Sequence, residues 1–440
     1  MQAYFYELAD ELTAALQGDE VLLLSFSAED SDFVRFNRSA VRQAGSVSQR
    51  VLEMELIVAN RHLRSALAVS RRATADRAAA LGVLSELRDG MEHVPEDPHL
   101  LYATEPRSTE SVRDDLLGDA GEAVEQVLAA GHGRDLVGIY AAGAVYAGFA
   151  NSLGQRNWLA AHSFHLDWSF YHAGDKAVKS SYAGFEWDPA ALERKVEQAA
   201  GQLAALDRPA RTVPPGEYRA YLAPAAMAEL MHMLCWGGFG MKAHRTKTTS
   251  LLKMIEGGAS LAPSVTMREN TAEGMAPPFQ SAGFVKPPSV TLIDGGRCAD
   301  CLVGPRSARE YGAAPNGASD GETPESLDMA AGDLPQAEVL ARLGEGVYVN
   351  NLWYLNYSDR PACRITGMTR FATFWVEGGQ IAAPLNVMRF DETIYRLLGS
   401  NLLGLTAERD FLPDSHTYGG RSTDSMRLPG ALIDKFRFTL

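Results

Sequence analysis

The chain has 440 residues, 46% of them hydrophobic, and a formal net charge of −14. That length suffices for two domains with separate cores, and the acidic balance argues against general nucleic-acid binding, which relies on Lys and Arg displacing counterions. Four scattered cysteines exclude a disulfide framework, and Met1–Glu20 lacks a basic leader and an apolar run, so the protein is expected in the cytoplasm, with no membrane partner.

Apolar residues Phe5, Leu8, Leu12, Ala15 and Leu16 recur at helical spacing over residues 3–16, and Val21–Phe26 reads as a buried strand. Residues 33–36 and 45–58 alternate with period two, as antiparallel strands do, with a turn over 60–62. Residues 71–91 are rich in Ala, Leu, Arg and Glu, which predicts a helix. A second helix is expected over 108–130, and the Gly-punctuated run 136–153 suits a pair of strands better than a membrane span. Further strand patterns cover 133–140, 144–146 and 161–170, and helix-forming composition covers 188–202.

Three prolines in 207–216 mark a boundary. The expected organisation is an α+β domain over 1–210, carrying an antiparallel sheet, followed by a strand-rich domain over 211–440. That second part opens with a strand at 217–222 and a helix starting near Pro224. Strands alternate through 346–353 and 370–381, with Glu377-Gly-Gly-Gln380 as the hairpin turn.

These last strands, with Asp359, Gly367, Trp375-Val-Glu-Gly-Gly-Gln-Ile381 and Asp391-Glu-Thr-Ile-Tyr-Arg-Leu-Leu-Gly399, resemble the TldD/PmbA family, also called modulators of DNA gyrase. The segment Ile293–Gly312 is similar to the family's strand followed by its "SYSARKLG" element. The resemblance covers most of the C-terminal half. In the first half only the order of helix, strands and helix is alike.

The resemblance implies more than a fold. The catalytic TldD branch has a His-Glu-x-x-x-His helix and a later cysteine as metal ligands, whereas the TldE (PmbA) branch lacks them and pairs with a catalytic subunit. In this chain His232 matches the first histidine, Met233 the glutamate and Gly237 the second histidine, and residues 415–422 contain no cysteine. One imidazole is too few for zinc, and a thioether cannot act as a base. The implied function is that of a non-catalytic subunit with no cofactor of its own. It would pair with a zinc-bearing TldD-type homologue as a heterodimer, shape a chamber for unfolded peptide, and possess a homodimeric form when alone. Two alternatives stay open: an independent peptidase using a rearranged site at His232, Cys235 and His244, or a stand-alone regulatory binding protein.

Other residues carry candidate roles. Lys242, His244, Arg245, Lys247 and Lys253 form a basic cluster that fits a solvated face or an acidic partner. Thr248, Thr249 and Ser250 are similar to a family stretch beside the substrate groove. Trp353, Tyr354 and Trp375 belong to an aromatic concentration suited to an interface, a chamber or the core. Cys298 and Cys301 lack the second cysteine pair that a zinc ribbon needs and are expected to be structural. His162, His165 and Asp167 read as a polar strand edge without a nucleophile.

Overall fold

The computed structural model describes residues 1–174 and 176–439. It is α+β, built on two sheets. The first contains β1 (Val21–Asn37), β2 (Ala40–Val58), β3 (Arg61–Ala68), β4 (Thr109–Val112), β5 (Asp135–Asn151), β6 (Arg156–Ala173) and β7 (Lys176–Gly184). Its order is β3-β2-β1-β5-β6-β4, with β7 also pairing with β6, and every pairing is antiparallel except β4 with β6.

Helices α1 (Gln2–Ala14) and α2 (Ala73–Met91) cover one face of this sheet. Phe5, Leu8 and Leu12 of α1 and Leu84 and Leu87 of α2 meet Leu22, Leu24, Phe26, Leu52 and Leu56 in one apolar cluster. The helical spacing of those residues in the sequence is the spacing of this face.

Two expectations for this half need correction. The helix expected over 108–130 is instead β4 followed by α3 (Ala120–Gly131). Pairing of Thr109–Val112 with Asn157–Ala160 claims the first residues, and Asp119 starts the helix by accepting the backbone N–H of Glu122. The run 136–153 is not a pair of strands, because β5 passes straight through its glycines. Gly148 lies against the ring of Phe5, and a Cβ at Gly143 would come within 2.2 Å of the Asp30 carbonyl oxygen. These glycines allow close approach and do not mark turns.

The second sheet uses β8 (Gly216–Leu222), β9 (Met267–Glu269), β10 (Val290–Asp294), β11 (Arg297–Cys298), β12 (Ser326–Met329), β13 (Gly346–Asp359), β14 (Arg364–Glu377), β15 (Gln380–Pro384), β16 (Arg389–Thr393), β17 (Leu402–Pro413) and β18 (Ser425–Phe438). β8 pairs with both β13 and β18, so β8, β13, β14, β16 and β18 make a closed circuit. The Gly378-Gly379 turn joins β14 to β15 as expected, with φ of 57° and 74°.

Short helices α6 (Met241–Arg245), α7 (Leu252–Ile255), α8 (Pro305–Tyr311) and α9 (Val339–Leu343) decorate this half. The longer α5 (Pro224–Cys235) follows β8 directly, and α4 (Pro189–Leu206) lies before it. Residues of α4 join Tyr140, Trp168 and Phe170 of the first sheet to Tyr221, Tyr348 and Phe374 of the second in a shared apolar cluster. Among the described residues no helix is long and apolar enough to cross a membrane.

Candidate functional site

Helix α5 begins at Pro224, whose fixed φ suits the first turn, and buries Ala226, Met227, Leu230, Met231, Met233, Leu234 and Cys235. Each of the larger side chains contributes about 1.5–3 kcal/mol of transfer free energy when fully buried. His232 lies on the opposite, exposed face. The helix ends at Cys235, so Gly237, at φ +73°, is outside it. A Cβ at 237 would lie 2.8 Å from an Arg360 guanidinium nitrogen.

The C-terminal carbonyls of α5 are used structurally. Tyr357 donates its hydroxyl to the Met233 carbonyl at 2.5 Å, and Arg360 donates to the Trp236 carbonyl at 2.7 Å. The Gly238 carbonyl accepts from His244 Nε2 at 2.8 Å and from the Thr249 hydroxyl at 2.9 Å. His244 Nε2 is therefore a donor here, with no lone pair for a metal. Burial drives the Cys235 thiol well above its ordinary range. Among the described residues no group of three or more His, Cys, Asp and Glu is arranged to hold a metal ion.

Zinc requires three or four convergent donors. The three positions matched to the family's ligand helix present one exposed imidazole, one buried thioether and no side chain, so they do not fit the ion. Burial raises the Asp414 carboxyl, but hydrogen bonds from His416 and, least, the charge of His232 bring it below its ordinary value.

The other candidate residues fall into distinct environments. Lys242, Arg245 and Thr248 are exposed, whereas Thr249 and Ser250 are 2% and 0% exposed and offer no surface to a peptide. Trp353 and Tyr354 are 49% and 77% exposed, as is Trp236, just past α5, at 61%. Arg360 lies over the Trp236 and Tyr357 rings, and Arg370 over Trp353 and Phe371. Trp375 is instead in the core, edge-on to Tyr218. Simple alternation fails in this region because positive φ at Tyr354 and Phe371 breaks the β13–β14 register.

Cys298 ends β11 and Cys301 is buried, both as free thiols raised by burial. The group read as a strand edge is not at an edge. β6 is paired on both sides, and His165 is 5% exposed with its Nε2 unpartnered. Burial, and then Arg421, push His165 down to about 4.

Sequence reasoning missed two buried polar groupings. In one, the Glu269 carboxylate accepts the backbone N–H groups of Glu325 and Ser326 while Lys286 pairs with Glu325. Burial lifts Glu269 to about 7 and Asp424 to about 6. The other is the set of groups around Arg421. Their members come from four or more separated segments, and no spacing in the chain links them.

The model of the PmbA/TldA metallopeptidase C-terminal domain matches residues 215–440. No curated protein matches the sequence. The fold is shared with TldE from Thermococcus kodakarensis, at a TM-score of 0.80 and 14% identity over 99% of this chain and 100% of that one. A candidate modulator of a DNA gyrase from Thermotoga maritima MSB8 superposes at 0.77 and 15%, over 99% and 100%. Another from Bacteroides thetaiotaomicron VPI-5482 does so at 0.72 and 15%, over 99% and 98%. At such identities the likeness establishes the fold alone.

Proposed function

The chain belongs to the PmbA/TldD metallopeptidase family, and from that membership we propose that it is a non-catalytic, TldE-type subunit acting with a zinc-bearing TldD-type homologue. The observation that carries this reading is the donor deficit at α5, where position 233 carries a thioether instead of a carboxylate and position 237 no side chain instead of a second imidazole. The likeness of the fold to a protein named TldE supports it.

In this reading the chain contributes shape and backbone contacts to a chamber that admits unfolded peptide. An extended peptide pairs with an exposed strand through main-chain hydrogen bonds, which tolerate many sequences. The exposed Trp236, Trp353 and Tyr354 supply the rigid apolar area that subunit contacts favour. The net charge of −14 disfavours DNA as a direct ligand. In this reading the protein works in the cytoplasm.

The test is co-expression with a homologue carrying an intact His-Glu-x-x-x-His helix. The pair is expected to copurify and to hydrolyse unfolded peptide in a chelator-sensitive way, with neither chain active alone. Chelator-sensitive hydrolysis by the isolated chain, abolished by His232→Ala, would establish an independent peptidase instead.

A further inference from the structure

Register places Ser31 of β1, Gly143 of β5 and Ser163 of β6 side by side across three strands. Over this row lies the guanidinium of Arg421, from the irregular Asp414–Asp424 segment. One terminal nitrogen donates to the Gly143 carbonyl at 3.2 Å and is 3.5 Å from the Ser31 hydroxyl. The other donates to the Ser163 carbonyl at 2.9 Å and hydroxyl at 2.7 Å. Ser31 and Ser163 are 4% and 1% exposed; burial pushes Arg421 down to about 10, and the negative charge of Glu29, itself 4% exposed, offsets this only in part. The middle position of the row has no side chain, and its carbonyl accepts from Arg421.

Such a fork of acceptors suits a planar guanidinium far better than a compact ammonium. The segment that delivers it has few other anchors. Ser415 donates to Asp167 at 2.9 Å, Gln49 donates to the Gly419 carbonyl at 2.8 Å, the Arg421 backbone N–H donates to Glu29 at 3.3 Å and that of Asp414 to the Asp424 carbonyl at 2.9 Å, and Tyr418 is fully exposed. Beside the row an open cavity of about 490 Å³ runs between Glu29, Phe33, Val47 and Gln49 on one side and Thr417 and Gly420 on the other. That volume falls within the range of ligand pockets.

We propose that the Ser31–Gly143–Ser163 row with Glu29 is a guanidinium-binding site, occupied in cis by Arg421 and open, when the Asp414–Asp424 segment lifts, to an arginine side chain of an extended peptide. Guanidinium recognition stands on the geometry by itself, while the peptide as its carrier rests on the peptide-chamber reading above. The cis ligand competes with the incoming one, so the site is self-inhibited until a peptide engages the adjoining cavity.

The test uses the full chain and its Arg421→Ala variant. Thermal unfolding of the variant is expected to be restored, saturably, by methylguanidinium and not by methylammonium. A fluorescent pentapeptide Ala-Ala-Arg-Ala-Ala should bind the variant at least ten-fold more tightly than it binds wild type, and its lysine analogue should bind neither. Adding Ser163→Ala to Arg421→Ala should abolish both effects. Equal rescue by the two small cations, or none, overturns the site; rescue without peptide binding overturns the peptide as ligand and leaves a small guanidinium compound. Wild type gives an independent readout should the variant not fold. The arginine peptide is expected to accelerate chymotryptic cleavage after Tyr418 several-fold, and an unchanged rate overturns displacement of the segment.

Discussion

Tyr357 holds the carbonyl of Met233 with its hydroxyl, 2.5 Å away, and so closes the last turn of α5. Burial keeps that phenol protonated across the physiological range. Tyr357→Phe leaves the carbonyl without this donor and is expected to cost about 1 kcal/mol of folding stability. Urea denaturation measures it; an unchanged midpoint would mean that another donor replaces the phenol.

Building the ligands that the resemblance implies into α5 is expected to fail. Met233→Glu places a carboxylate at a position 9% exposed, and Gly237→His forces a side chain into φ +73° against Arg360. Burying the unpaired carboxylate and straining the backbone should together destabilise by roughly 3 kcal/mol or more. The double variant is predicted to melt early and to bind less than stoichiometric zinc by metal analysis. A stable, zinc-loaded product would show that the helix terminus is more adaptable than its hydrogen bonds imply.

Tyr354 is exposed and held at φ +58°, a conformation costly for an aromatic residue. If partner contact is what retains it, Tyr354→Gly should raise the stability of the isolated chain by about 1 kcal/mol while weakening copurification with the catalytic homologue. Parallel melting and pull-down experiments separate these effects. Unimpaired pairing would remove Tyr354 from the interface.

Two buried groups tilt the stability in opposite senses with pH. His165, at about 4 in the fold against 6.5 unfolded, leaves the unfolded chain holding the extra proton between those values. Its contribution is complete above 6.5 and is lost as pH falls toward 4. Glu269, at about 7 against 4.5, contributes fully below 4.5 and loses that contribution as pH rises through 7. His165→Gln should therefore flatten the acid side of a stability profile, and Glu269→Gln should remove the decline toward neutrality. Urea midpoints at pH 4.5, 5.5, 6.5 and 7.5 check both, and slopes identical to wild type would refute the assignment.

Much of the architecture could be read from local signals. The apolar spacing of Phe5, Leu8 and Leu12 and the Pro224 helix start gave their elements, because one buried face dictates each pattern. Strand β4 and the unbroken β5 were not legible, since the pairing of Thr109 with Asn157 and the contact of Gly148 with Phe5 depend on distant residues. At α5, the absence of a carboxylate at 233 and of an imidazole at 237 could be read directly. The role of Arg421 could not, because its acceptors lie 258 to 390 residues away in sequence and two of them are backbone carbonyls.

β18 lies between strands that precede it by as many as 222 residues (Phe438 against Gly216), touching β8, β12, β16 and β17. A ribosome making this protein must therefore expose β8 through β17 before the strand that joins them has been synthesised. Until residue 438 emerges the circuit cannot close, and the edges that β18 covers stay unpaired, the kind of exposed edge that makes incomplete folds prone to associate.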